Sequence, residues 1–299
     1  MISVLIPTFN YDITELVENL YKQLENSKLK YELLVCDDCS TNQSIVENNE
    51  QINNLPSCKF IQNATNLGRT ATRKKLAKYA IYDWLLFLDA DVMPKDDDFI
   101  KRFDVENQKT DIIFGGIEYD CSQKPKQDKL LRWKYGKKRE TQTLYNRKKN
   151  PYLSIISGCI LIKKQTFSSA NITEDNFYGS DVAFCWELEK MKAEVLHIDN
   201  PVFHLGLDDN KSFLKKSKRG IGTLFYYEKL KIIPINYKSI QRAYRFLKKS
   251  DLDSIFVSSI DRFEYLILKN LNSNNPSLFL FDLYRLKYFA VLQQGKTIK

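Results

Sequence analysis

The sequence predicts an α/β protein built on a mostly parallel sheet flanked by helices, with a helical extension at the C-terminal end. Three observations predict it. Strand-sized apolar runs alternate with helix-period patterns through the first half of the chain. That alternation stops after Gly116, and beyond Lys211 the periodicity is mostly helical. Of 299 residues, 43% are hydrophobic and 28% charged, which suits a large core and excludes wholesale disorder.

Taken in order, residues 3–6 form an apolar strand that ends at Pro7. Asp12 and Glu15 then make a capping-box pattern ahead of Ile13, Leu16, Val17, Leu20 and Leu24 at helical spacing. Residues 32–36, 59–61, 84–88 and 112–116 read as further buried strands, and 70–80 as a helix with Ala71, Leu76, Ala77 and Ala80 inward. The stretch 124–149 has little apolar periodicity and reads as a long excursion or mobile loop, after which 155–162 resumes the core. Ser180 is placed to cap a helix running to about Met191, 195–198 is a short strand, and another leads into His204. Residues 253–270 and 278–292 are the clearest C-terminal helices, and there is no internal repeat. This divides the chain into an α/β domain over 1–210, with halves 1–116 and 117–210, and a basic helical region over 211–299.

Composition narrows the class. No run approaches the roughly 18 apolar residues of a membrane-spanning helix, and the first residues lack a basic lead and a cleavage site, so the expected location is the cytoplasm. Six irregularly spaced cysteines fit reduced thiols better than a disulfide framework. Cys36 and Cys39 form a C-x-x-C, but no second pair or histidine cluster completes a zinc site. The two intervening aspartates would also raise a thiol pKa. The net charge of +9 is concentrated in two segments: 124–149 carries eleven Lys or Arg against two acids, and 211–249 twelve against one. Neither has a nucleic-acid recognition signature, so nucleic acid is not the expected partner. Mixed with Phe213, Leu224, Tyr226, Tyr227 and Ile233, the second segment suits either a solvated helix face or an anionic membrane surface.

Chemistry is sought where apolar strands end, because parallel sheets bind ligands beyond their carboxyl ends. The fourth strand ends Leu88-Asp89-Ala90-Asp91, and residues two apart on an extended backbone point the same way. Two such carboxylates repel unless a cation bridges them, and a Mg²⁺ or Mn²⁺ ion carrying a diphosphate suits hard oxygen ligands. At the same edge lie Ile6-Pro7-Thr8-Phe9-Asn10, Asp37-Asp38-Cys39-Ser40, and Asn66-Leu67-Gly68 ahead of a helix bearing Arg69 and Arg73. Asp38 can accept the imino N–H of a base, backbone near Thr8 can complete base recognition, and Arg73 can meet phosphate. The same residues also suit humbler roles: Asp38 as a turn cap, the arginines as a solvated face. Neither G-x-G-x-x-G nor a P-loop is present.

Together these blocks, with Gly179-Ser180-Asp181-Val182-Ala183-Phe184 and His204, resemble the family 2 glycosyltransferases of the GT-A (Rossmann-like) fold across residues 1–205. The resemblance implies a nucleotide-sugar donor, most often a UDP-sugar, and sugar transfer with inversion to a glycan or lipid-linked acceptor. It further implies donor contacts from Pro7, Thr8, Asn10, Asp38, Asn66, Gly68, Arg73, Asp89 and Ala90. Asp91 would carry a Mn²⁺ or Mg²⁺ ion, with His204 completing its shell and Asp89 meeting the ribose or the metal through water. Asp181 would be the general base, at a helix N-terminus where the dipole favours negative charge. The acceptor is expected near Trp133, Tyr135, Tyr152, Ser157 and Gly158.

Three positions depart from the family pattern. Cys39 stands where a turn glycine is usual, and Ser180 and Ala183 replace acids around Asp181. A nucleotidyltransferase and a catalytically silent scaffold of a polysaccharide-assembly complex are the rival readings. The expected setting is cell-surface polysaccharide synthesis, with peripheral contact at the inner membrane face.

Overall fold

The computed structural model describes residues 1–103, 105, 109–122, 124–173 and 176–295. In chain order come β1 (Ile2–Thr8), α1 (Thr14–Glu25), β2 (Tyr31–Asp37), α2 (Gln43–Glu50) with a 3₁₀ turn at Gln51–Asn54, and β3 (Cys58–Gln62). They are followed by α3 (Arg69–Tyr79), β4 (Trp84–Leu88), β5 (Val92–Pro94), β6 (Ile112–Phe114) and β7 (Ile117–Glu118). A 3₁₀ turn at Gln127–Lys129 leads into α4 (Leu130–Tyr135), a π turn at Gly136–Glu140 and α5 (Leu144–Lys149). Then come β8 (Cys159–Lys163), α6 (Lys164–Ala170), α7 (Asp181–Lys190), β9 (Val195–His197) and β10 (Val202–His204). The chain closes with α8 (Asn210–Lys229), α9 (Ser239–Lys249), α10 (Asp253–Leu271) and α11 (Leu278–Gln293).

By compactness the chain forms two units: Met1–Asp120 with Glu140–Asn176 and Phe184–Gly206, and Cys121–Arg139 with Phe177–Ala183 and Leu207–Lys299. The first unit holds a seven-stranded sheet in the order β3-β2-β1-β4-β8-β6-β9. Strands β1 and β4 are apolar and almost wholly buried, as strands covered on both faces must be. Most pairings are parallel, as the sequence predicts, but β8 runs antiparallel to both β4 and β6. That reversal has a functional consequence. With Leu88 opposite Cys159, the residues entering β8, Ser157 and Gly158, arrive at the edge where β4 exits.

A second, three-stranded sheet, β5-β10-β7, sits in the same unit. Its antiparallel register sets His204 opposite Val92 and so beside Asp91. Phe87, Ile160, Ile162, Phe167 and Leu188 belong to one core cluster of this unit.

Local details differ from expectation. Helix α1 starts at Thr14 without a capping box; the Asp12 carboxylate, one residue ahead of the N-cap Ile13, accepts the Thr14 N–H and hydroxyl. On α3 the inward positions are Thr72, Arg73, Leu76 and Ala77, so Arg73 points into the protein rather than to solvent. The stretch 124–149, expected as a loop, contains α4, the π turn and α5. Its Arg147 is buried and donates to the carbonyls of Phe114 (3.0 Å) and Ile198 (2.9 Å), tying α5 to the far edge of the sheet.

The second unit is helical. Leu131, Phe213, Leu214, Ile267, Leu271, Phe281 and Tyr284 make its core, so much of the apolar content of α8 faces inward. Tyr135 packs against Phe213 and Phe281 there. Among the described residues no helix is long and apolar enough to cross a membrane.

Candidate functional site

The carboxyl ends of β1 and β2 are laced together. Thr8, almost fully buried, accepts the Asp38 N–H through its carbonyl at 2.8 Å and donates its hydroxyl to the Tyr11 carbonyl. Asn10, at φ +50°, uses its side-chain oxygen to accept the N–H groups of Thr41 (2.9 Å) and Asn42 (3.1 Å), while its own N–H donates to Ser40 Oγ. Pro7 lies beside them on β1, opposite Cys36.

Asp38 is 5% exposed, and its carboxylate accepts three internal donors: Asn63 Nδ2 (2.8 Å), Leu67 N–H (2.8 Å) and Gly68 N–H (2.6 Å). Asn66 donates to the Asp38 carbonyl at 3.1 Å. These bonds shape the turn into α3, where Gly68 takes φ +82°. The Asp38 carboxylate thus ties the turn that leads into α3. Cys39 adopts φ +64°, the left-handed conformation for which glycine is the usual residue. Cys36 is buried, which pushes its thiol up to about 11, away from redox chemistry.

The Asp89 carboxylate is held by two arginines. Arg69 donates to both its oxygens (Nε to Oδ1 at 3.2 Å, Nη2 to Oδ2 at 2.7 Å), and Arg73 Nη2 donates to Oδ1 at 2.6 Å. Burial alone would raise this carboxyl, but the two guanidinium groups outweigh it and hold it below the usual range. Arg73 also donates to the Ser157 carbonyl at 2.5 Å and lies over the Phe87 ring; Arg69 reaches Ser157 Oγ at 2.9 Å. The Asp89 N–H donates to the Gly158 carbonyl. Thus arginine supplies positive charge on the Asp89 side, and Arg73 bonds there to Asp89 and Ser157.

Asp91 follows across the intervening, half-buried Ala90. Its Oδ2 is 3.6 Å from His204 Nε2, longer than a hydrogen bond, with both side chains partly exposed. Burial, with Asp89 adding to it, pushes the Asp91 carboxyl up, while His204 and Arg69 pull against that rise. His204 stacks on Tyr119 at 5.4 Å, and the Tyr119 hydroxyl donates to Glu140. The next loop passes so close that a Cβ on Gly206 would stand 2.0 Å from Asp91 Oδ2.

The donor set fits a divalent ion held by two protein ligands. One hard oxygen and one imidazole nitrogen 3.6 Å apart resemble neighbouring ligands on one ion, which at metal–ligand distances of about 2.1 Å are separated by about 3 Å. Among the described residues no group of three or more such side chains gathers, so the rest of a shell would come from phosphate and water.

The first unit therefore brings together Thr8, Asn10, Asp38, Asn66 and Gly68 in one laced edge, and Arg73, Asp89, Asp91 and His204 in the adjoining one. Asp181 begins α7 and belongs to the second unit. Tyr152 and Tyr135, expected near an acceptor, have structural partners: the Tyr152 hydroxyl donates to the Ala193 carbonyl, and Tyr135 is core packing. Sequence reasoning missed Gly206, Tyr119 and the bridging role of Arg69. Of these only Gly206 left a signal, a glycine two residues after a strand-end histidine.

Comparisons with known proteins identify the family and the fold. The family model described as glycosyl transferase family 2 matches residues 3–169. An uncharacterized glycosyltransferase of Haemophilus influenzae is 30% identical over 118 residues, 38% of each chain. The poly(ribitol-phosphate) β-N-acetylglucosaminyltransferase TarS of Staphylococcus aureus is 38% identical over 92 residues, 30% of this chain and 16% of TarS. The match thus spans well under two thirds of either relative. In fold, a mannosyltransferase from Pyrobaculum calidifontis, solved with GDP-Man and Mn²⁺, aligns with a TM-score of 0.60 at 11% identity, over 98% of this chain and 86% of that one.

Proposed function

This chain belongs to glycosyl transferase family 2, and from that premise we propose that it moves a sugar from a nucleoside-diphosphate donor to a hydroxyl of a glycan or lipid-linked acceptor. A UDP-sugar is the first donor to consider, with inversion at the anomeric carbon and a hexosyl or N-acetylhexosaminyl group as the moiety moved. The observation that carries the reading is the convergence of Asp91 and His204 at the exit of β4, beside an Asp89 already neutralised by arginine.

Asp91 and His204 would hold Mn²⁺ or Mg²⁺, and that ion, when bound, neutralises charge on the departing diphosphate. The chain's own residues do the rest. Pro7, Thr8 and Asn10 form one wall for the nucleotide, and Asp38 orders Asn66 and Gly68 as another. Arg69 and Arg73 fix Asp89, and through the Asp89–Gly158 bond they hold Ala90 and Asp91 against the entrance of β8. Asp181 takes the proton of the acceptor hydroxyl. The acceptor oxygen then bonds to the anomeric carbon as the bond from that carbon to the diphosphate oxygen breaks, and the electron pair leaves with the nucleoside diphosphate. The name of TarS, a poly(ribitol-phosphate) β-N-acetylglucosaminyltransferase, supports a polymer acceptor, and the setting that goes with this reading is cell-surface polysaccharide synthesis in the cytoplasm.

The test is release of nucleoside diphosphate from a panel of nucleotide sugars in the presence of glycan acceptors. One donor should turn over, and Asp181→Asn should lower kcat at least about 100-fold with nucleotide affinity unchanged. Full turnover in Asp181→Asn removes the base assignment. Nucleotide binding with no turnover on any acceptor points instead to the scaffold reading.

A further inference from the structure

A second concave site lies within the helical unit. It is a cavity of about 440 Å³, with Lys211, Lys215 and Lys218 on its lining and Leu214, Leu268 and Tyr284 beside them. The three lysines stand at i, i+4 and i+7 of α8, on one helix face and spread over about 10 Å of rise. Like charges at this spacing oppose helix formation. Among the described residues none of the three pairs with a carboxylate, whereas Lys216 on the same helix is bound to Asp208 at 2.7 Å. Lys218 is further held over aromatic rings, its Nζ 5.3 Å from the centroids of both Tyr284 and Tyr288. A row of unneutralised ammonium groups around an apolar recess is complementary to an anion with a carbon body.

The shape of the charge selects among anions. A single phosphate would satisfy one or two ammonium groups, while a row of about 10 Å suits anions repeated along a chain. A bilayer surface is a poor fit, because a membrane-lying helix turns its apolar residues outward beside its lysines. Here Phe213, Leu214, Ile221, Leu224 and Tyr227 of the same helix are buried in the unit's core. We propose that this cavity binds an extended anionic chain with a sugar or polyol backbone, its successive anions meeting Lys211, Lys215 and Lys218 and its carbon face lying against Leu214, Leu268 and Tyr284. The proposal stands independently of the transfer chemistry, since it concerns a different set of residues and a binding event alone.

Calorimetric titration of the full chain with two probes, a short oligouronate and a short poly(glycerol phosphate), tests it and distinguishes carboxylate from phosphodiester. At least one should bind. The variant Lys211→Gln/Lys215→Gln/Lys218→Gln should weaken that binding about tenfold or more. Removal of equal charge elsewhere, in Lys229→Gln/Lys231→Gln/Lys249→Gln, should weaken it less than about threefold. All six lysines lie at or near the surface, so both variants should keep the parent melting curve. Absence of binding by either probe overturns the proposal, as does equal weakening in the two triple variants. It is overturned too if anionic phospholipid vesicles or a single-stranded oligonucleotide bind at the cavity lysines while both carbohydrate-type probes do not.

Discussion

Replacing Arg73 by Met asks whether this arginine is a structural tie or a phosphate ligand. Its guanidinium lies 2.6 Å from Asp89 Oδ1 and 2.5 Å from the Ser157 carbonyl, on a side chain only 8% exposed. Methionine keeps the apolar contact with Phe87 but leaves one Asp89 oxygen and a buried carbonyl without this donor. Breaking a buried pair costs about 3–5 kcal/mol. Asp89 keeps Arg69 at 2.7 Å and is 23% exposed, so the low end applies, about 3 kcal/mol. The double variant Arg73→Met/Asp89→Asn should be less destabilised than the sum of the singles by about 1–2 kcal/mol, the coupling of a direct pair. Urea denaturation of the four proteins supplies both numbers. A phosphate ligand would behave differently, losing nucleotide affinity at unchanged stability. If Arg73→Met stays within about 0.5 kcal/mol of the parent and the cycle is additive, the tie is refuted.

Three other perturbations follow from the same structure. Asp38→Ala strands the Gly68 N–H and Asn63 amide in a buried setting and should cost about 3 kcal/mol in urea melts; a loss below about 1 kcal/mol would mean that the turn into α3 does not depend on this carboxylate. At Cys39, whose φ is +64°, glycine should stabilise by about 0.5 kcal/mol while valine destabilises by about 1 kcal/mol or more; thermal melts in the reverse order would contradict a left-handed turn there. His197 is 3% exposed, and its pKa is pushed down to about 4, by burial first and then by Arg147 and Lys148, against the bond it makes to the Pro151 carbonyl. The unfolded chain takes up this proton near pH 6.5 and the folded one only near 4. Stability from His197 is therefore intact above pH 6.5 and declines as pH falls towards 4, by about 3 kcal/mol in all. His197→Gln should show a shallower loss between pH 7 and 4, and parallel curves for the two proteins would rule the effect out.

Much of the architecture was legible because buried strands and amphipathic helices are written in local pattern. The apolar runs of β1, β2 and β4 and the long helices α10 and α11 needed no tertiary information. The direction of β8 did, since an apolar run reads the same either way, and that reversal is what delivers Ser157 and Gly158 to Asp89. Strands β5 and β7 are three and two residues long, too short to leave a period. Within the site, Asp89, Asp91 and His204 stood out by type and position, and the β10–β5 register brings the last two together. What could not be read was how each polar group is shared out. Asp38 and Asp89 both end strands, yet internal donors 2.6–2.8 Å away turn one inward to a loop and the other to two arginines. Leu76, Ala77 and Ala80 are buried as their spacing predicts, but that Arg73 is buried with them is decided by packing against Phe87, which local pattern does not show.

A metal-dependent nucleotide site at Asp91 and His204 can be tested by a thermal-shift comparison of parent and Asp91→Ala with UDP, GDP, CDP and dTDP, each with and without Mn²⁺. A ligand at 100 times its Kd adds about 2.7 kcal/mol to the native state, enough for a clear rise in midpoint. One nucleoside diphosphate should raise the parent's midpoint only when Mn²⁺ is present. Asp91→Ala should lose that rise while keeping the ligand-free midpoint within a few degrees. An equal rise in Asp91→Ala, or no rise with any nucleotide and metal, would contradict it.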